Sequence, residues 1–170
     1  MTTPGGAADD ARSSADGEPD DFVTAVLAVS WLLVGISTRS VEDVNERVTL
    51  TQFRTLAVLA DRGQTNLSKL AAELDVNAST AMRVIDRLVA GDLVSRTENP
   101  ASRREVVLCL TPAGERLVGE VVVKRRAAVA DLVRAIPTAD QATLVSCLRA
   151  FTAAAETAGM RPAAPASLGW

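Results

Sequence analysis

The stretch "VNASTAMRVIDRLVAGDLV" places Asn77, Ser79, Thr80 and Arg83 at the start of a helical pattern and its apolar residues on the opposite face. These side chains are of types that grip a polyanion. Ser and Thr hydroxyls donate to phosphates or base edges, and an Arg guanidinium reaches two acceptors of one guanine at once. Arg87 follows one turn later, and with Asn77 it is placed to reach phosphates. Arg96 comes after the helix and can either brace the next segment of chain or touch the nucleic-acid backbone. Arg103 and Arg104 share the short loop "ENPASRR", and paired arginines on a thin loop suit a narrow minor groove with its enhanced negative potential. Plainer roles exist for each group. Asn, Ser and Thr at a helix start are often caps alone, and arginines in a polar loop are commonly just solvated.

Other chemistries are poorly supplied. The chain has no His and two Cys, Cys109 and Cys147, which removes the usual zinc-ligand spacings and every Ser-His or Cys-His pair. Neither a nucleotide-binding Gly-rich loop nor a nucleophile-elbow motif occurs, so no enzyme activity and no cofactor are expected. Two cysteines and no disulfide framework fit a reducing, cytoplasmic setting. A net charge of −3 argues at first against a polyanion as partner, but the acid is unevenly placed: near the start Asp9, Asp10, Asp16, Glu18, Asp20 and Asp21 stand against Arg12 alone. The remainder is weakly positive and permits nucleic-acid binding.

These residues need elements to position them. Residues 1–20 and 159–170 are rich in Gly, Pro and Ala and read as disordered tails, the first of them acidic. The uncharged run at residues 22–38 reaches the lower length limit for a membrane span. It has acid where a signal peptide needs base, and polar helical sequence follows it, so it is expected to be a helix buried nearly all round in a core or subunit interface, without a membrane role. A second helix starts at Thr49 or Thr51 as cap, with Leu50, Phe53, Leu56, Ala57 and Ala60 on one stripe, and ends at Gly63. A third opens near Asn66 with Leu67, Leu70, Ala71 and Leu74 inward, and only "DVN" separates it from the helix of Asn77. There Ala81, Val84, Ile85 and Leu88 form the inward stripe, and Gly91 suits the left-handed position after the end. Two strands, "LVSRT" and "EVVLCLT", flank the arginine loop. Thr111 then caps a long helix with Pro112 at its first position, stopped by Pro137. Thr138 and Gln141 form a capping-box pattern for a last helix carrying Leu144, Leu148 and Phe151 inward. The triplet Lys124 to Arg126 reads as a solvated helix face.

Helix, three-residue turn, helix and basic-tipped ribbon is the order of a helix-turn-helix followed by a wing, in which the second helix enters the major groove by its N-terminal end. In "NLSKLAAEL", "STAMRVIDRLVAGDLVSR" and "NPASRREVVLCLTPAGERL" the chain resembles the MarR family of bacterial winged-helix transcription regulators, over roughly residues 22–158. The wing signature of that family, D-x-R followed by L-T-x-x-G, is matched except that Ser102 replaces its Asp, so the ion pair that would stiffen the wing toward Arg104 is missing. The resemblance implies a mainly α fold with a small β wing, the winged helix-turn-helix lobe (residues 49–111) being flanked by N-terminal (21–48) and C-terminal (112–158) dimerisation helices. It implies a homodimer that binds double-stranded DNA at a near-palindromic operator, a repressor associated with the bacterial nucleoid. Ser79, Thr80, Arg83 and Arg104 become the DNA-reading residues, with Arg103 beside them. It also implies release by a small lipophilic or aromatic effector, in a cleft lined by Trp31, Phe53, Leu56 and Leu117. The competing readings are a winged-helix protein-protein adaptor, which would not need the wing arginines, and a thiol-based redox regulator using Cys109 or Cys147.

Overall fold

The structure, a computed structural model, describes the backbone of residues 17–99 and 102–160 and the side chains of residues 20–98 and 106–160. Most of both expected tails lies outside the described residues, as does the Pro100–Ala101 part of the wing loop. The chain divides into two compact units, one up to Ser37 and one from Thr38.

Helix α1, Gly17–Glu42, begins inside the segment expected to be an unstructured acidic tail. Acids such as Asp20 and Asp21 favour the positive end of a helix, and Pro19 falls in the first turn, where its missing N–H leaves no intrahelical bond unmade. Within the first unit, the run expected to be buried in a core or a subunit interface leaves Phe22, Val23, Leu27, Val29, Trp31, Leu32 and Val34 exposed in the single chain, Trp31 at 74%. By length and composition alone the stretch Asp20–Glu42 could cross a membrane, with a mean hydropathy of 1.7. A helix that packs on a partner chain meets the same description.

The second unit holds the core. Helix α2, Leu50–Arg62, starts at the first of the two candidate caps: the Thr49 hydroxyl accepts from the Gln52 amide at 3.3 Å while Gln52 Oε1 accepts from the Thr49 amide at 2.8 Å. It ends at Gly63, whose φ of 68° is open to glycine at no steric cost. Phe53, Leu56, Ala57 and Leu59 are buried, while Ala60, placed on the inward stripe by spacing alone, is exposed. A two-residue strand β1, Thr65–Asn66, leads into α3, Leu67–Leu74, and then α4, Ala78–Ala90. Strands β2, Val94–Asn99, and β3, Ser102–Leu110, form the ribbon, and β1 pairs on the far side of β3 to give the antiparallel order β1-β3-β2. Strand β1 carries no alternating pattern, which is why only the other two strands are readable in the sequence.

Helix α5, Pro112–Ala135, opens as expected on a Thr111 cap. The close approach at its first turn demands glycine: a Cβ on Gly114 would stand 2.2 Å from the Leu93 carbonyl oxygen. Thr111 ties the same junction, its hydroxyl donating to the Asp92 carbonyl at 2.6 Å and accepting from the Gly114 amide at 3.1 Å. Val41, Phe53, Leu56, Leu70, Ile85, Leu88, Leu108 and Val121 meet in one apolar core. The basic triplet on α5 is divided: Lys124 and Arg126 are exposed, whereas Arg125 is half-buried, and desolvation lowers its pKa. Helix α6, Thr138–Thr157, follows Pro137 without the expected capping box. Pro137 itself occupies the cap, and Gln141 reaches back to donate to the Ile136 carbonyl at 3.0 Å, sealing the end of α5. No residue of α6 is buried, so Leu144, Leu148 and Phe151 face outward and not into their own chain.

Candidate nucleic-acid interface

Helices α3 and α4 are joined by Asp75, Val76 and Asn77, with Asp75 in the left-handed region at φ 54°. An Asp tolerates that conformation better than most side chains, and it lets the chain reverse within three residues. Leu70, Ala71 and Leu74 of α3 and Ala81, Ile85 and Leu88 of α4 are buried, which leaves the opposite faces of both helices in solvent. An ion pair between Arg62 and Glu73 at 2.8 Å links α2 to α3 on the surface.

Asn77 caps α4. Its Oδ1 accepts from the Thr80 amide at 2.8 Å and from the Ser79 hydroxyl at 2.7 Å, so in this geometry Asn77 is occupied as a cap and orients Ser79. Ser79, Arg83 and Arg87 are exposed and follow each other at four-residue intervals, hence along one row of the helix. Thr80 is half-buried, and its hydroxyl accepts from Arg83 Nη2 at 3.3 Å. The first two turns of the helix thus present the Ser79 hydroxyl and the Arg83 guanidinium, and Arg87 continues the same row into the last turn.

At the other end of α4 the left-handed residue is Asp92, φ 55°, and not Gly91, whose φ is −86°. The sequence marks the turn but not which of the two adjacent residues takes the strained conformation. Strand β2 then pairs in regular register with β3, Val94 opposite Leu110 and Arg96 opposite Leu108, until the ladder becomes irregular between Glu98 and Asn99. Arg103 and Arg104 are the second and third residues of β3, at the wing's distal end; their side chains lie outside the described residues. Arg96 braces: its Nη2 donates to Asp86 Oδ1 on α4 at 2.6 Å and approaches Met82 Sδ at 3.3 Å. Sequence reasoning misses Asp86, because no short spacing links it to a strand residue across a turn.

Of the four residues expected to line an effector cleft, three share one setting and the fourth does not. Phe53 and Leu56 are fully buried and Leu117 is buried to 6% exposure, all three within the apolar core, whereas Trp31 is exposed in the first unit. Cys109 is half-buried with its sulfur 3.0 Å from the Ser95 hydroxyl, and Cys147 is exposed on α6.

An antiparallel ribbon following a capped two-helix reversal, with hydroxyl and guanidinium groups at the head of the second helix, defines a winged helix-turn-helix protein. The MarR family model matches residues 48–106, from just before α2 into β3. The crystal structure of Rv1404 from Mycobacterium tuberculosis is 37% identical, with a TM-score of 0.75 over 91% of this chain and 98% of that one. Among curated proteins, the transcriptional repressor MdtR of Bacillus subtilis is 31% identical over 61% of this chain and 68% of its own length. The regulator YsmB, also of Bacillus subtilis, is 35% identical over 50% of this chain and 58% of its own length, so the chain spans little more than half of that relative. The chain belongs to the MarR family.

Proposed function

We propose that this protein is a homodimeric transcriptional repressor that binds a near-palindromic operator, reading bases with the head of α4 and gripping the flanking backbone with the wing. The observation that carries the reading is the exposed row Ser79, Arg83 and Arg87 on the second helix of a helix-turn-helix. Repression is supported by the likeness to MdtR, a repressor by name. Dimerisation is supported by the apolar residues that α1 and α6 leave in solvent, from Trp31 and Leu32 to Leu148 and Phe151. A monomer seldom exposes so many large apolar groups on two helices. Membership in a family of transcription regulators favours a bacterial cytoplasmic setting.

Release by a small apolar effector rests on the family alone. Since Phe53, Leu56 and Leu117 are closed core in this chain, an effector that touches them has to open that core. Selecting genomic fragments bound by the purified protein tests the central reading. A palindrome with half-sites about 10 bp apart, centre to centre, is the expected result. Recovery of no preferred sequence would leave a protein-protein adaptor as the better account.

A further inference from the structure

We propose that Asp86 and Arg96 are positioning residues for DNA binding: their ion pair fixes the wing relative to α4, and thereby sets where the wing tip meets the duplex. This role rests on the DNA-binding function proposed for α4 and the wing. Arg96 lies on β2, and its guanidinium holds two residues of α4 that are one turn apart, Asp86 at 2.6 Å and Met82 at 3.3 Å. That row is the immediate neighbour of the row of Ser79, Arg83 and Arg87. The clamp therefore ties the wing's root to the flank of the surface that would enter the groove. From Arg96 the regular ladder to Leu108 carries the constraint into β3 and toward Arg103 and Arg104. Beyond Glu98 the ladder is irregular, so orientation has to come from the root and not from the tip.

Stability gives little reason for the pair. With side-chain exposures of 33% for Arg96 and 54% for Asp86, it belongs to the exposed class that adds little to a fold. Function gives a better one. A carboxylate beside Arg83 and Arg87 repels phosphate, and only its engagement by Arg96 makes it useful there.

The sign of one substitution separates the two accounts. If Asp86 acts only through its charge, Asp86→Asn removes a repulsion and tightens binding to duplex DNA. If it positions the wing, Asp86→Asn weakens binding, and Arg96→Ala does the same, each by about tenfold. Titration of the wild type and both variants against one selected duplex, with thermal unfolding alongside, reads this out. Arg96→Ala in an Arg104→Ala background is expected to cost little more than Arg104→Ala alone, since the brace acts through the wing. Binding by Asp86→Asn that equals or exceeds the wild type would overturn the proposal, as would full additivity with Arg104→Ala. So would a fall in unfolding midpoint of more than about 4 °C in Arg96→Ala, which would mark the pair as a fold contact. A wild type that binds no duplex would instead defeat the DNA-binding reading itself.

Discussion

The lobe from α2 to β3 and the two outer helices deploy their apolar residues in opposite ways. In the lobe Phe53, Leu56, Leu70, Ile85 and Leu88 are at most 1% exposed, and polar groups cap its helices at Thr49, Asn66 and Asn77. On α6 no residue is buried, and the first part of α1 exposes Phe22, Leu27 and Trp31. Composition does not separate these regions, because both are rich in Val, Leu and Ala. What separates them is whether the chain itself supplies the covering surface. The lobe covers its own apolar stripes, whereas the outer helices leave many of theirs exposed in the single chain.

The largest expected effect sharpens that contrast within the lobe. Phe53→Ala should cost about 3–5 kcal/mol, because the side chain is fully buried and its cavity cannot fully collapse. Chemical denaturation would show it as a lower midpoint, and a change below about 1 kcal/mol would break the claim that the lobe is close-packed. Gly114→Ala comes next. The added methyl meets the Leu93 carbonyl and should cost about 1–3 kcal/mol through forced displacement of the α5 start. On α6, Leu148→Glu combined with Phe151→Glu should leave helicity and the lobe's unfolding unchanged at low concentration while abolishing self-association. Light scattering checks this, and a variant that keeps the wild-type mass would remove α6 from the interface.

The remaining effects concern DNA. Arg83→Ala should lower affinity by about 1–3 kcal/mol for the selected operator and much less for random duplex, if Arg83 reads a guanine. Equal losses on both would make it a phosphate contact. Arg104→Ala should change the slope of log K against log salt by about one and leave base preference intact. An unchanged slope would take the wing arginine out of the contact set.

Sequence legibility divides along the same line. Caps at Thr49, Asn66, Asn77 and Thr111 are readable, because each is a local contract between one side chain and the amide three residues on. The buried stripes of α3 and α4 come directly from helical spacing. The setting of residues 22–38 is not readable in the same way, since hydrophobicity states that a surface needs covering and not which chain covers it. The Thr138–Gln141 pattern fails for a different reason: Pro137 precedes it and takes the cap, leaving Gln141 to serve the previous helix. Of the candidate DNA contacts, the α4 row is legible by type and spacing. The Asp86–Arg96 pair is not, because it is made by the return of β2 past α4, a tertiary fact without local signal.

Dimeric engagement of one duplex is the central claim, and the number of chains per particle measures it without reference to any variant. Sedimentation of the intact protein, alone and mixed with its selected operator, gives that number. Two chains per particle in both conditions, and two per palindrome at saturation, is the predicted result. A single chain in solution that also saturates the operator as one chain per site, with its outer helices still folded, would contradict it.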